Sequence, residues 1–296
     1  MKYVITGSLG HISKPVVESL VKAGHAVTVI TSKQENTAAI EALGAKAAVG
    51  SVSDAAFVSA TFAGADAAYL MIPPNFGATD WLAYQQAVAD NYVAAIQANG
   101  IKKVVQLSSI GAHLRQGAGP IDGLAYLEVA LEKLDNVDVL ALRPSYFYYN
   151  FYSMLPLMQG MGIAGANFGN SPEKLVLVHT DDIAAVATEA LGSLSFTGFS
   201  VRYISSDERH PSEIAAVLGA AIDKPNMPWI TFPDEQMLEG MLQTGLSQTI
   251  AAGYVQMGSA IQAGKIQEDY WANPPAEKGK IKLEQFAKEF AKAALA

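Results

Sequence analysis

Cysteine is absent from the 296 residues, which excludes disulfides, thiolate metal sites and thiol catalysis. That lack is compatible with the cytosol, and a cytoplasmic location is expected. Charge is scarce as well: 16% of the residues are charged, and the formal net charge is −8. A protein that grips nucleic acid needs clustered Lys and Arg to displace phosphate counterions. No basic stripe is present. The Lys-rich tail (Lys278, Lys280, Lys282, Lys288 and Lys292) is interleaved with Glu277, Glu284 and Glu289 and reads as a solvated helix face. Nucleic acid is therefore not an expected partner. No run approaches the roughly 18 to 20 apolar residues of a membrane span, so no membrane partner is expected either. Met1–Thr6 enters a strand pattern at once, leaving no room for a signal peptide. His and carboxylates do not recur at metal-ligand spacing, and no metal is expected.

Apolar residues, by contrast, make up 50% of the chain, enough for a sizeable core. In the first half, strand and helix patterns alternate. Strands are expected over Lys2–Thr6, Ala26–Thr31, Ala45–Val49, Ala67–Ile72, Lys103–Ser108 and Val137–Arg143. Helices are expected over Ser13–Ala23, Asn36–Leu43, Ala55–Phe62 with Asp54 as cap, Thr79–Asn99 ended by Gly100, and Leu124–Leu134. Parallel neighbours need crossover helices, and right-handed crossovers give a doubly wound parallel Rossmann sheet. The second half is less regular. Strands are read at Leu175–Val178, Phe199–Ser205 and Trp229–Phe232. Helices follow at Thr180–Leu191, Pro211–Ile222, Asp234–Thr244, Leu246–Ala263 and Leu283–Leu295, and Asp207–His210 reads as a turn opening a helix. The expected organisation is an α/β fold: a dinucleotide-binding domain over 1–150 and a smaller substrate-side lid over 151–296, with 175–205 returning to the sheet.

The first strand runs into Gly7-Ser8-Leu9-Gly10-His11-Ile12-Ser13 and then a helix. Gly7 permits a tight turn, Gly10 lets backbone approach a pyrophosphate, and Ser13 is small where a third glycine often stands. Exposed N–H groups and the helix dipole favour the anion. The second strand ends Thr31-Ser32-Lys33, without the carboxylate that accepts from the ribose hydroxyls of NAD and repels a 2′-phosphate. NADP(H) is thus favoured over NAD(H).

With these residues in place the chain resembles the NmrA-like family, atypical short-chain dehydrogenase/reductases, over nearly its whole length. The marks are Thr6–Gly10 with Ser13, Val49–Asp54, Ile72-Pro73-Pro74, Leu107–Ala112 and Leu142–Asn150. The resemblance implies Ser51 and Val52 against adenine, and Met71, Ile72 and Pro73 beside the ribose and nicotinamide. It also implies Ser108, Ser109 and Ile110 lining the nicotinamide side, with Pro144, Ser145, Tyr146 and Phe147 closing the pocket. Ser32 stands where many relatives carry Arg for the 2′-phosphate, leaving Lys33 as substitute. Reductases of the parent superfamily place Tyr and Lys four apart on the helix after strand five; here Ile121 and Ala125 occupy those positions.

His113 is a candidate for the missing acid and Ser109 for orienting a substrate carbonyl, though each also reads as an ordinary loop residue. Tyr146–Tyr149, Phe151 and Tyr152 form an aromatic run that, with Phe76, Trp81 and Tyr84, would wall a flat apolar pocket or else be plain core. Tyr148, Asn150 and Phe151 are pocket candidates with Phe76 and Tyr84. Arg143 reads as structural, and His179 as part of a helix cap rather than a ligand. Two functions fit. One is an NADPH-dependent reductase of a small apolar acceptor such as a quinone or enone. The other is a non-catalytic redox sensor that binds the dinucleotide and acts through a protein partner.

Overall fold

In the computed structural model, residues 1–295 are described. In chain order the elements begin β1 (Lys2–Ile5), α1 (Ser13–Lys22), β2 (Ala26–Thr31), α2 (Thr37–Ala42) and β3 (Lys46–Val49). Next come α3 (Ala55–Phe62), β4 (Ala67–Leu70), α4 (Trp81–Asn99), β5 (Lys103–Leu107), α5 (Asp122–Glu132), β6 (Asp138–Pro144) and β7 (Tyr146–Phe147). Then follow α6 (Leu155–Met161), β8 (Ala164–Ala166), β9 (Leu175–Val178), α7 (Thr180–Ser193), β10 (Phe199–Ile204) and β11 (Asp207–Arg209). The last are α8 (Pro211–Ala221), β12 (Trp229–Thr231), α9 (Asp234–Gln243), α10 (Gln248–Gln262), α11 (Glu268–Ala272) and α12 (Leu283–Ala294).

The main sheet has seven strands in the order β10-β6-β5-β4-β1-β2-β3, every neighbouring pair parallel. The strand order reverses at β1, between β4 and β2, and the crevice beyond the carboxyl ends of those strands is where open α/β sheets take ligands. Helices cover both faces. Val16, Val17 and Leu20 of α1 pack with Ile183, Ala187 and Leu191 of α7 on one side. On the other side, Val58 and Phe62 of α3, Val88, Tyr92 and Ile96 of α4, and Leu127 and Leu131 of α5 pack against the sheet. Local chemistry sets the helix ends that flank the crevice. Asp54 and Asp80 accept from the backbone N–H groups of Phe57 and Ala83 at 3.1 and 2.9 Å, opening α3 and α4.

A third core, under the later elements, joins Tyr148, Phe151 and Met158 to Ile214 and Leu218 of α8 and to Phe286 and Phe290 of α12. There β7 pairs parallel with β9, and β9 antiparallel with β11; β8 pairs with β12. Asp207–Arg209 is thus a strand and not the turn expected from sequence. Its short charged segment gains a ladder with Leu175–Leu177 that no local pattern announces. The cap of α7 is His179, whose Nδ1 accepts from the Asp181 N–H at 3.1 Å. Helix α10 sits directly on the loop after β5, because Gly119 (φ +60°) has no Cβ; one there would run into the Gly253 carbonyl oxygen. Among the described residues no helix is long and apolar enough to cross a membrane.

Candidate functional site

The turn after β1 is shaped by what cannot fit into it. Gly7 has φ +90°, and a Cβ there would lie 2.7 Å from Met71 Cγ and 2.9 Å from Ser13 Oγ. Gly10 is less demanding, since a Cβ would meet only the Gly7 carbonyl oxygen, at 3.4 Å. Ser8 follows with φ 54°, held by its N–H on the Ile30 carbonyl at 3.1 Å. Ser13 donates to the Thr6 carbonyl at 3.2 Å. Helix α1 has Ile12 at its N-cap and no side-chain cap; the Lys14 N–H turns back to the Gly10 carbonyl at 3.0 Å, and the helix dipole at this end favours an anion. Ile12 is buried and Leu9 packs on the core; these two offer backbone only. His11 is exposed, and its ring lies 4.8 Å from that of Tyr149.

At the end of β2, Thr31 is buried while Ser32 and Lys33 are exposed. Lys33 Nζ lies 3.6 Å from Glu35 Oε1, both side chains well solvated. Asn36 was not singled out by the sequence. Its Nδ2 donates to Ser8 Oγ and to Thr31 Oγ1, 3.0 Å each, tying the glycine turn to the strand end. The available signal was an amide one turn beyond a strand with no carboxylate. After β3, Ser51 is exposed, and the Val52 carbonyl accepts from Asn91 Nδ2 at 3.0 Å. Past β4, the Met71 carbonyl accepts from Tyr92 Oη at 2.9 Å and the Pro73 carbonyl from Tyr84 Oη at 3.1 Å. Tyr84 thus spends its hydroxyl on shaping the loop. These features fit a dinucleotide: a turn with no room for a Cβ at Gly7, a helix end with no side-chain cap, and pinned loops on both sides of it.

Beyond β5 the polar groups divide. Ser108 Oγ donates to Glu128 Oε1 at 2.5 Å, and Glu128 takes Arg143 in two bonds of 3.0 and 2.6 Å. Arg143 Nη1 reaches Tyr203 Oη at 3.0 Å and Asp269 Oδ2 at 3.1 Å. Burial opposes the guanidinium charge, but Glu128 more than offsets it and the pKa rises above its ordinary value. Ser108 therefore belongs to a buried frame joining β5, α5, β6 and the C-terminal segment. His113 lies beside the same frame. Burial lowers its pKa, against the opposing field of Asp269, and both ring nitrogens are buried without a hydrogen-bond partner. The charged groups that act on it are Asp269, Arg143 and Glu268. Ser109 is half-buried in the turn, where its carbonyl accepts from the Ala112 N–H at 3.2 Å. Ile110 and Pro144 are buried beside it. Ile121 and Ala125 are buried too, 6% and 1% exposed, so the position of the absent Tyr–Lys pair is apolar packing.

The aromatic run splits between core and cleft. Tyr148 is fully buried, stacked 5.2 Å from Phe286, with its hydroxyl on the Ile281 carbonyl at 3.4 Å. Phe151 is fully buried behind Tyr146, ring centroids 5.5 Å apart. Both are core, a correction to their reading as pocket walls: the 3₁₀ turn over Tyr148–Met154 directs them under α12. Phe147 packs on the sheet-side core. Tyr146 remains, with a pKa raised by burial and by Tyr254 and partly relieved by a bond with Asn150. Tyr254, on α10, also escaped the sequence reading. Its ring lies 5.4 Å from that of Trp81, which lies 5.9 Å from that of Phe76. The signal was a lone aromatic in a helix otherwise rich in Ala, Gly and Gln.

The model of a family described as NAD(P)H-binding matches residues 7–193. Among solved structures, an NADPH-dependent quinone oxidoreductase from Escherichia coli superposes with a TM-score of 0.78 at 19% identity, covering 97% of this chain and 98% of its own. A triphenylmethane reductase from Citrobacter sp., complexed with NADP(H), gives 0.78 at 16% identity, covering 98% and 100%. A nucleoside-diphosphate-sugar epimerase from Staphylococcus aureus gives 0.78 at 14%, covering 97% and 100%. These identities establish a shared fold and no more. No curated protein sequence matches the chain.

Proposed function

The chain belongs to the NAD(P)H-binding family, and from that premise we propose an NADPH-dependent reductase of a small apolar acceptor, a quinone or enone. The observation that carries the reading is the pairing of a dinucleotide cradle with an acceptor side that is aromatic and has no Tyr–Lys acid pair. Ile121 and Ala125 cannot protonate a ketone oxygen. A quinone or enone, whose accepting centre is already electron-poor, needs less help from a protein acid. When bound, the reduced dinucleotide supplies a hydride.

The chain's own residues do the rest. Gly7, Ser8, Gly10 and His11 form the turn on which the pyrophosphate sits, with Leu9 and Ile12 anchoring it from the core side. Thr31 and Asn36 hold Ser8 in place, and Ser32 and Lys33 meet the 2′-phosphate. Ser51 and Val52 flank adenine; Met71, Ile72 and Pro73 flank the ribose; Ser109, Pro144 and Tyr146 border the nicotinamide. Phe76 and Asn150 line the acceptor side, with Ser109 orienting its oxygen.

A quinone oxidoreductase and a dye reductase share this fold, as does an epimerase; what favours a reductase of an electron-poor acceptor over a sugar-nucleotide reaction is the absence of the Tyr–Lys pair, which the latter would require. Mixing the protein with NADPH and a panel of quinones in a stopped-flow instrument tests it. Cofactor oxidation above background with at least one quinone is expected; background rates with every acceptor would end the proposal.

A further inference from the structure

One polar group next to the cleft has no acceptor in the protein. Trp81 is 8% exposed, and its indole N–H is buried without a partner. A buried donor is normally satisfied, so an oxygen from outside the chain is the natural complement. Trp81 opens α4, immediately after the Ile72–Asp80 loop that borders the ribose side. Its ring packs on Tyr254 at 5.4 Å, tilted by 52°. Thus α4 and α10 each bring one aromatic donor to the same place. The placement is built in: α10 can approach only because Gly119 leaves room for the Gly253 carbonyl, the residue just before Tyr254.

We infer that Trp81 and Tyr254 form the acceptor clamp, the indole N–H and the phenol O–H donating to an oxygen of a flat, two-oxygen acceptor of the quinone class. The inference rests on the reductase reading and names the residues that select its substrate. Burial holds the Tyr254 hydroxyl above its usual pKa, so it stays protonated through neutral pH. It therefore acts as a hydrogen-bond donor to the oxygen on which negative charge develops, and not as the acid. The balance is one quinone, one hydride from the reduced dinucleotide and one proton from solvent, giving a hydroquinone and the oxidised dinucleotide.

Two arms test it on the intact chain, with Y254F and W81F compared to the parent. The first is equilibrium binding of a redox-inert dihydroxynaphthalene, a product mimic, to protein saturated with NADP⁺. Each variant should lose about tenfold in affinity, the worth of one good buried hydrogen bond, with NADP⁺ affinity unchanged. The second compares two acceptors. Quinone reduction should fall about tenfold in kcat/KM, with a flat neutral pH profile in parent and variant. Reduction of a cationic triarylmethane dye, which has no oxygen at its accepting carbon, should fall clearly less than quinone reduction. Equal mimic binding by parent and variants overturns the clamp. So does an equal loss with quinone and dye, which marks a merely structural role. A parent that binds the mimic through these residues but oxidises no NADPH would refute the reductase reading alone.

Discussion

The two ends of the cleft are built from different materials. At the dinucleotide end the shape is backbone: Gly7 with no space for a Cβ, Ser8 in the left-handed region, and a helix start with no side-chain cap. At the proposed acceptor end the shape is side chain: Trp81 and Tyr254, brought in by two separate helices. Backbone geometry serves any dinucleotide and is insensitive to which reaction follows. Side chains carried by a later helix can be exchanged without disturbing the cofactor. One architecture can therefore serve a quinone reductase, a dye reductase or an epimerase.

Toward the β10 edge of the sheet lies the frame of Glu128, Arg143, Tyr203 and Asp269, and its removal should give the largest effect. Arg143→Ala leaves Glu128, whose side chain is 6% exposed, as an unpaired buried charge. A loss of about 3–5 kcal/mol is expected in chemical denaturation, striking both ends together. Gly7→Ala should strike one end only. It forces a side chain into φ +90° against Met71 and Ser13, at a cost of about 1–3 kcal/mol. Fluorescence titration should show NADPH affinity reduced roughly tenfold or more, with mimic binding at the acceptor side retained. Lys33→Ala sharpens the same end more finely: a solvated cation should contribute only about 0.5–1 kcal/mol. NADPH binding should weaken a few-fold while NADH binding is unchanged.

The smallest effect is pH-dependent. Burial, opposed by Asp269, keeps the folded pKa of His113 below the ordinary value. In the interval between the folded and ordinary values the unfolded chain binds more protons, so stability falls as pH drops through it and the loss is complete below the folded pKa. His113→Asn should flatten that part of the stability curve; an unchanged slope would place the titrating group elsewhere.

The sheet was legible from sequence because β1 to β6 alternate with helices at a regular spacing, and caps such as Asp54 and Gly100 mark the ends locally. The dinucleotide turn was legible for the same reason, its determinants being contiguous. The acceptor end was not. Trp81 and Tyr254 stand more than a hundred positions apart, and their meeting depends on Gly119 against Gly253, a close approach that no local pattern encodes. Tyr148 and Phe151 misled because they alternate in sequence with the residues that line the cleft, while the 3₁₀ turn there rotates them into the core. Asn36 was hidden at a helix start, where an amide already has an ordinary explanation as a cap. β11 was hidden by its charge: Asp207-Glu208-Arg209 looks like a turn until β9 supplies its partner.

The central claim is that the cradle and the aromatic end act together on one bound dinucleotide. Anaerobic single-turnover mixing of the NADPH-loaded protein with a quinone tests it most directly. Loss of the reduced-nicotinamide absorbance, at a rate that saturates with quinone, is the predicted result. Tight binding that discriminates NADPH from NADP⁺, with no absorbance change for any quinone, would contradict it and leave a protein that senses the dinucleotide without using it.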